Sequence, residues 1–176
     1  MELGITIPLQ RHLKIGVIPY GVENDHNFCW DLHLITLSGK ASLLAVHCST
    51  RYVFTLFDLN GLEWSNLEDV FLTGLQGAFQ GIGISERVTA DYLRQAGALR
   101  LTKTHGRREV AHLNRAWEDV LACDYALDYS GREQPLLDHA VNTKLCRCAG
   151  SVKLDTSSNR LLEIFLGKQI AVDKKF

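Results

Sequence analysis

Apolar residues run along the chain in two rhythms. Three runs, WDLHLITL (30–37), ASLLAVHC (41–48) and YVFTLFDL (52–59), are rich in β-formers and aromatics. Ser38-Gly39-Lys40 and Ser49-Thr50-Arg51 separate them at hairpin distances. Three strands joined by tight turns predict an antiparallel three-stranded meander over about 30–59. Both faces of these runs are largely apolar, so the sheet should be covered on one side and on part of the other.

Beyond residue 60 the period lengthens. Ser65-Asn66-Leu67-Glu68 matches a capping box before Leu67, Val70, Phe71, Leu75, Ala78, Phe79 and Ile82, which recur at helical spacing. Gly81 or Gly83 should end that helix, and Ser85 should cap another that stops at Gly97. ALRLTKT (98–104) is a short strand candidate. Val110, Leu113, Trp117, Val120 and Leu121 then form an apolar stripe. They predict a long amphipathic helix over about 107–129, broken at Ser130-Gly131 and packed on the sheet. Pro135 can open a short helix, and SVKLD (151–155) is an edge-strand candidate. Asp155 to Ser158 offers caps for a last helix through Leu166, ended by Gly167. The expected fold class is α+β, one globular domain over residues 1–176.

Composition narrows the function classes. Of 176 residues, 46% are hydrophobic and 22% charged, which argues against disorder. No run reaches the roughly 18–20 apolar residues of a membrane span. MELGITIPLQRHLK has no positive segment leading an apolar stretch, so a signal peptide is not expected and the cytosol is. Cys29, Cys48, Cys123, Cys146 and Cys148 are odd in number and irregularly spaced, which fits reduced thiols. The Cys146-Arg147-Cys148 pair, with His139 or His47, is a weak metal pattern, and no metal or cofactor is expected.

A net charge of −1 gives no global bias toward nucleic acid, but the charge is segregated. Lys103, His105, Arg107, Arg108, His112 and Arg115 crowd one segment, and Glu118, Asp119, Asp124, Asp128, Glu133 and Asp138 follow. Lys144, Arg147, Lys153, Arg160, Lys168, Lys174 and Lys175 make the last part basic again. The first cluster is the candidate partner- or anion-binding surface, because Arg107 and Arg108 would begin a helix whose free N–H groups also attract anions. Cations there are mildly unfavourable, so a carboxylate from elsewhere or a bound anion should offset them. On the far side of the helix Arg115 should pair with Asp119.

No catalytic set is legible. His47 and Cys48 are adjacent on a strand and point to opposite faces. Cys29 and His33 would be well over ~10 Å apart along an unbroken strand. GLQGAFQGIG (74–83) lacks Lys-Ser/Thr and lies in a helical pattern, so its glycines suit close helix packing rather than phosphate.

Several short motifs resemble those of a family of small uncharacterised bacterial domains. Trp30-Asp31-Leu32-His33-Leu34 resembles its tryptophan-led first strand, and Thr50-Arg51-Tyr52-Val53-Phe54 its next hairpin. Thr102, Thr104, Arg107 and Asn114 fall at the spacing of a threonine-rich strand followed by Arg and, seven residues on, Asn. Asn142-Thr143 resembles its closing segment. Trp-Asp-Leu-His stands where that family has Trp-His-Ala-Asn, and Arg108-Glu109 replaces its small residues. The resemblance implies a fold and a bacterial origin but no reaction, and it would bring Trp30, Arg107 and Asn114 together.

Two expectations follow. The first is a non-catalytic protein that docks on a protein or nucleoprotein complex, such as a phage- or plasmid-borne inhibitor of a host defence complex of the CRISPR type. The alternative is an enzyme or small-ligand domain with an anion-holding pocket between the sheet and the long helix, lined by Trp30, His33, Arg107 and Asn114. Direct nucleic-acid binding ranks third.

Overall fold

The computed structural model describes residues 1–147 and 153–173. It opens on a strand the apolar pattern did not single out, Glu2–Ile5 (β1), and a short helix, Ile7–His12 (α1). The meander then forms as expected from Cys29–Leu37 (β2), Lys40–His47 (β3) and Val53–Leu56 (β4). Ser38 and Gly39 both take positive φ, 45° and 77°, the geometry a two-residue hairpin turn requires. The helices Gly61–Ser65 (α2), Leu67–Gly81 (α3) and Glu86–Ala96 (α4) lead to Arg100–Lys103 (β5). Arg107–Ala122 (α5), Pro135–Asn142 (α6), Leu145–Cys146 (β6), Asp155–Thr156 (β7) and Ser157–Asp173 (α7) complete the order.

The fold is α+β, with one mixed sheet in the order β4-β3-β2-β1-β5. β1 lies parallel between β2 and β5, so it extends the antiparallel meander by two strands. Alternation sends successive residues to opposite faces. Leu3, Ile5, Trp30, Leu32, Leu43, Ala45 and Phe54 join Phe71, Leu75, Phe79, Tyr92 and Phe165 in one core layer. Ile35, Leu37, Leu44, Val46 and Val53 join Leu113, Ala116, Val120, Leu137 and Val141 in the other.

Four local expectations are corrected. The capping box sits one turn earlier: Asn60 accepts from Leu62 and Glu63 N–H while Glu63 accepts from Asn60 N–H, and the Ser65 hydroxyl turns back to Gly61 O. α5 ends at Ala122, not near 129, and a short 3-10 turn follows at Asp124–Ala126. There Cys123 and Leu127 turn into the core, and the Gln134 amide holds the loop by bonding Asp128 N–H, Asp128 O and Gly131 O. The buried stripe of α5 is Glu109, Leu113, Ala116 and Val120. Trp117 and Leu121 stay 38% and 45% exposed. Ala116 and Cys123 are buried in the core beside Leu113 and Val120, while the Trp117 ring meets His33 from the side of the helix. Finally, α7 runs through Gly167 to Asp173. Of the SVKLD segment only residues 153–155 are described, with Asp155 in β7; Cys148, Lys174 and Lys175 lie outside the described residues.

β4 is an edge strand, and the segment from Arg132 to Asn142 covers it. Asn142 Oδ1 accepts from Val53 N–H and its amide donates to Val53 O, while Asp138 Oδ2 accepts from Thr55 N–H. Asp138 Oδ1 has no hydrogen bond. Burial pushes the Asp138 carboxyl well above the usual range, and Glu133 adds to the rise. An acid that ionises in the unfolded chain but not in the fold loses stability as pH climbs from about 4 toward its folded value. Asp138→Asn keeps the acceptor for Thr55 and removes the ionisation. Its unfolding free energy at pH 7 should therefore exceed that of the wild type by about 1 kcal/mol or more. Urea titrations across pH should show the gap closing as pH falls toward 4, and a variant less stable at pH 7 would refute the assignment.

Candidate functional site

Strand register assembles a buried polar cluster from distant residues. β1 against β2 puts Glu2 beside Cys29 and Gly4 beside Asp31, while β5 puts Thr102 beside Gly4. Two residues past the end of β5, His105 folds back over Gly4. A Cβ at Gly4 would collide with Asp31 Oδ1 and lie 2.9 Å from His105 Nδ1. A Cβ at Gly21 would run into Glu2 Oε2. Only glycine at these two places lets the backbone close around the three charged side chains.

His105, Asp31 and Glu2 side chains are 5%, 2% and 4% exposed. His105 Nδ1 lies 2.7 Å from Asp31 Oδ1, and its Nε2 lies 3.4 Å from Glu2 Oε2. The Glu2 carboxylate is fixed from behind, because its Oε1 accepts the N–H groups of Val22 and Glu23. Burial raises the Glu2 carboxyl, but those two N–H groups and His105 outweigh it, so Glu2 titrates below its usual range. Burial likewise pulls His105 down. The bond to Asp31 and the neighbouring Cys29 and Cys48 thiols win, and the ring stays protonated well above the ordinary histidine range. Glu2 Oε2, Asp31 Oδ2 and His105 Nε2 are buried without a hydrogen bond.

Two thiols complete the cluster. Ligand atoms of Glu2, Cys29 and His105 lie within 4.8 Å of one another, as do those of Asp31, Cys48 and His105. Cys48 Sγ is 3.5 Å from His105 Nδ1, the nitrogen that also meets Asp31. A thiol activated by histidine needs the base nitrogen free and the other nitrogen oriented by the acid. That division is missing here, and burial pushes the Cys48 thiol up to about 12. The geometry is that of a charge cluster or ligand set, not of a thiol nucleophile.

The predicted site residues separate. Trp30 is fully buried among Phe54, Phe71 and Phe79 on the α3 side, and its indole N–H donates to Tyr92. His33 lies on the opposite face, where it meets Thr6 and the Trp117 ring. Arg107 and Asn114 are exposed. These four residues therefore form no common pocket. Lys103 sits 4.0 Å over the Tyr20 ring. Arg115 pairs with Glu118, not Asp119, which is taken by Lys144. His47 binds Thr50 and Asn27 O, away from Cys48. Asn142, quoted in the closing motif, secures the sheet edge.

Arg108, His112 and Arg115 share one flank of α5, and two pockets open along it. One, of about 320 Å³, is lined by Asn24, His26, Cys48, Ser49, Arg108 and His112. The next, of about 390 Å³, includes Arg51, Arg115, Asp119, Lys144 and Arg147. His112 is half-buried, and burial lowers its pKa; Arg51 and Arg108 add to the fall and Glu109 opposes it. The cation at the helix start is offset from inside: Arg108 pairs with buried Glu109, which also meets His26 at 3.6 Å.

The sequence reading missed Glu2, Asp31 and the pairing role of His105. The available signal was a carboxylate in each of two apolar runs, MELGI and CWDLHLITL, at positions a strand would bury. No helix among the described residues is long and apolar enough to cross a membrane. No curated protein matches the chain. A family model described as a domain of unknown function (DUF6933) matches residues 2–158.

Proposed function

We propose that this chain, which belongs to the DUF6933 family of domains of unknown function, is a non-catalytic binding module. Its contact surface is the cationic flank of α5, and its partner is a protein complex presenting acidic groups. The observation that supports this is the convergence of Arg51, Arg108, Arg115, Lys144 and Arg147 from three parts of the chain on two adjoining pockets. Glu109, Glu118 and Asp119 neutralise part of that charge. The most specific form of the reading is a bacterial, cytosolic protein, carried by a phage or plasmid, that inhibits a host defence complex of the CRISPR type. It draws on the segregated charge and on the motif resemblance, which implies a bacterial origin.

Affinity capture from bacterial lysate tests it, with and without nuclease, using the wild type and an Arg51→Glu/Arg115→Glu variant. Rim charges act through long-range attraction, so the double reversal should lower recovery of the partner at least about tenfold while circular dichroism stays unchanged. A partner retained equally by both proteins would refute the surface. A catch lost on nuclease treatment would move the partner class to nucleic acid.

A second reading rests on the first pocket alone. Arg108, His112, His26, Asn24 and Ser49 surround a space that would take a small anion, in place of the Trp30–His33–Arg107–Asn114 pocket. An empty capture together with stabilisation of the fold by phosphate or a carboxylate would favour it.

A further inference from the structure

We propose that Glu2, Cys29 and His105 form a binding site for a divalent transition-metal ion of the zinc class, with Asp31 as the carboxylate that orients the histidine. The proposal rests on four features of the cluster that act together. Each ligand side chain is buried, and the ligand atoms lie within 4.8 Å of one another. Glu2 Oε2 and His105 Nε2 face each other at 3.4 Å, and neither has a hydrogen bond. Two N–H groups hold the other oxygen of Glu2, so Oε2 is aimed at the ring and cannot turn away. Behind the ring, Nδ1 meets Asp31 Oδ1 at 2.7 Å, the carboxylate–histidine pairing that fixes which nitrogen faces a metal.

The distances fit the chemistry. With bonds of roughly 2.0–2.3 Å, ligand atoms of a tetrahedral zinc site stand about 3.4–3.7 Å apart. Nε2 and Oε2 already have that separation, and the Cys29 thiol needs to close by at most about 1 Å. A mixed nitrogen, oxygen and sulfur set selects borderline metals such as Zn²⁺ or Co²⁺ over Mg²⁺ and Ca²⁺, which take oxygen. Protons balance as well. Without metal the cluster holds two carboxylates, an imidazolium and a neutral thiol. When the ion binds, one proton leaves His105 and one leaves Cys29 for the solvent, so a divalent cation enters as two protons depart and the net charge is unchanged.

The competing account is an imidazolium held by two carboxylates with no metal. It accommodates the 2.7 Å bond and the 3.4 Å ion pair, but it leaves Oε2 and Nε2 facing each other without a hydrogen bond between them. The test uses the full chain, stripped with a chelator, and Co²⁺ or Zn²⁺ alone as the probe. One equivalent of Co²⁺ should bind with a tetrahedral visible spectrum and a thiolate-to-cobalt charge-transfer band. Zn²⁺ should displace it with release of about two protons per ion in weakly buffered solution. Cys29→Ser should abolish the charge-transfer band, and Glu2→Gln should weaken Zn²⁺ binding by at least about tenfold. If Glu2→Gln fails to fold, the wild-type cobalt spectrum still decides. No stoichiometric binding, a cobalt spectrum lacking the thiolate band, or binding that Cys29→Ser leaves unchanged would each overturn the site. This outcome is independent of the partner surface, which lies on α5.

Discussion

Replacing His105 by leucine should destabilise the fold by roughly 3–5 kcal/mol, the usual cost of removing one partner from a buried ion pair. Glu2 and Asp31 would remain in the interior with their cation gone, at either end of the space the imidazole ring had filled. The size of leucine rules out a cavity as the main cause. The pH dependence separates this from ordinary packing loss. His105 titrates higher in the fold than in the unfolded chain, where an imidazole has a pKa of about 6.5. Its contribution is therefore complete below that value and is lost as pH rises toward the folded one. In urea unfolding of the chelator-treated, metal-free chain, the advantage of the wild type over His105→Leu should be largest near pH 6 and should shrink toward pH 9. Equal stability at pH 6, or a gap that widens with pH, would show that the ring is not held as a cation.

Trp30→Ala should cost about 3–5 kcal/mol, the range for deleting a large aromatic from a packed core. The indole is fully buried, with Phe54, Phe71 and Phe79 at ring distances of 5.5, 5.8 and 6.4 Å, and its N–H bonds the Tyr92 hydroxyl at 3.1 Å. Chemical denaturation of the variant measures the loss. A change below about 1 kcal/mol would instead fit a side chain at the edge of a pocket, the role its place in a tryptophan-led motif suggested.

The two residues show how legibility divided along the chain. Trp30 reads as a site residue when it is taken with the motif around it, whereas its even position in an apolar strand already placed it on the same face as Leu32 and Leu34. His105 reads as one of six clustered basic residues, yet it is the one that turns inward. Arg108, His112 and Arg115 kept the common flank that their spacing of three and four predicted, because helix periodicity is a local property. Their counter-ions did not follow from spacing. Glu109 serves Arg108 and His26, Glu118 serves Arg115, and Lys144 takes Asp119.

Local periodicity by itself determined the meander, the helices bounded by Ser85 and Gly97, the start of α5, and the class of the fold. These depend on turn chemistry and on which face of an element is apolar, both of which are written within a few neighbouring residues. Tertiary structure decided the rest. β1 has only four residues and takes its place from two parallel neighbours, so MELGI by itself does not say which strands it joins. The buried face of α5 includes Ala116, a small side chain that weighs little in an apolar pattern, while Trp117 and Leu121 stay partly exposed. The polar cluster joins residues 2, 29, 31, 48 and 105 through cross-strand register. Register is a choice among long-range pairings whose energy comes from burying whole faces, and no local segment of the chain encodes it.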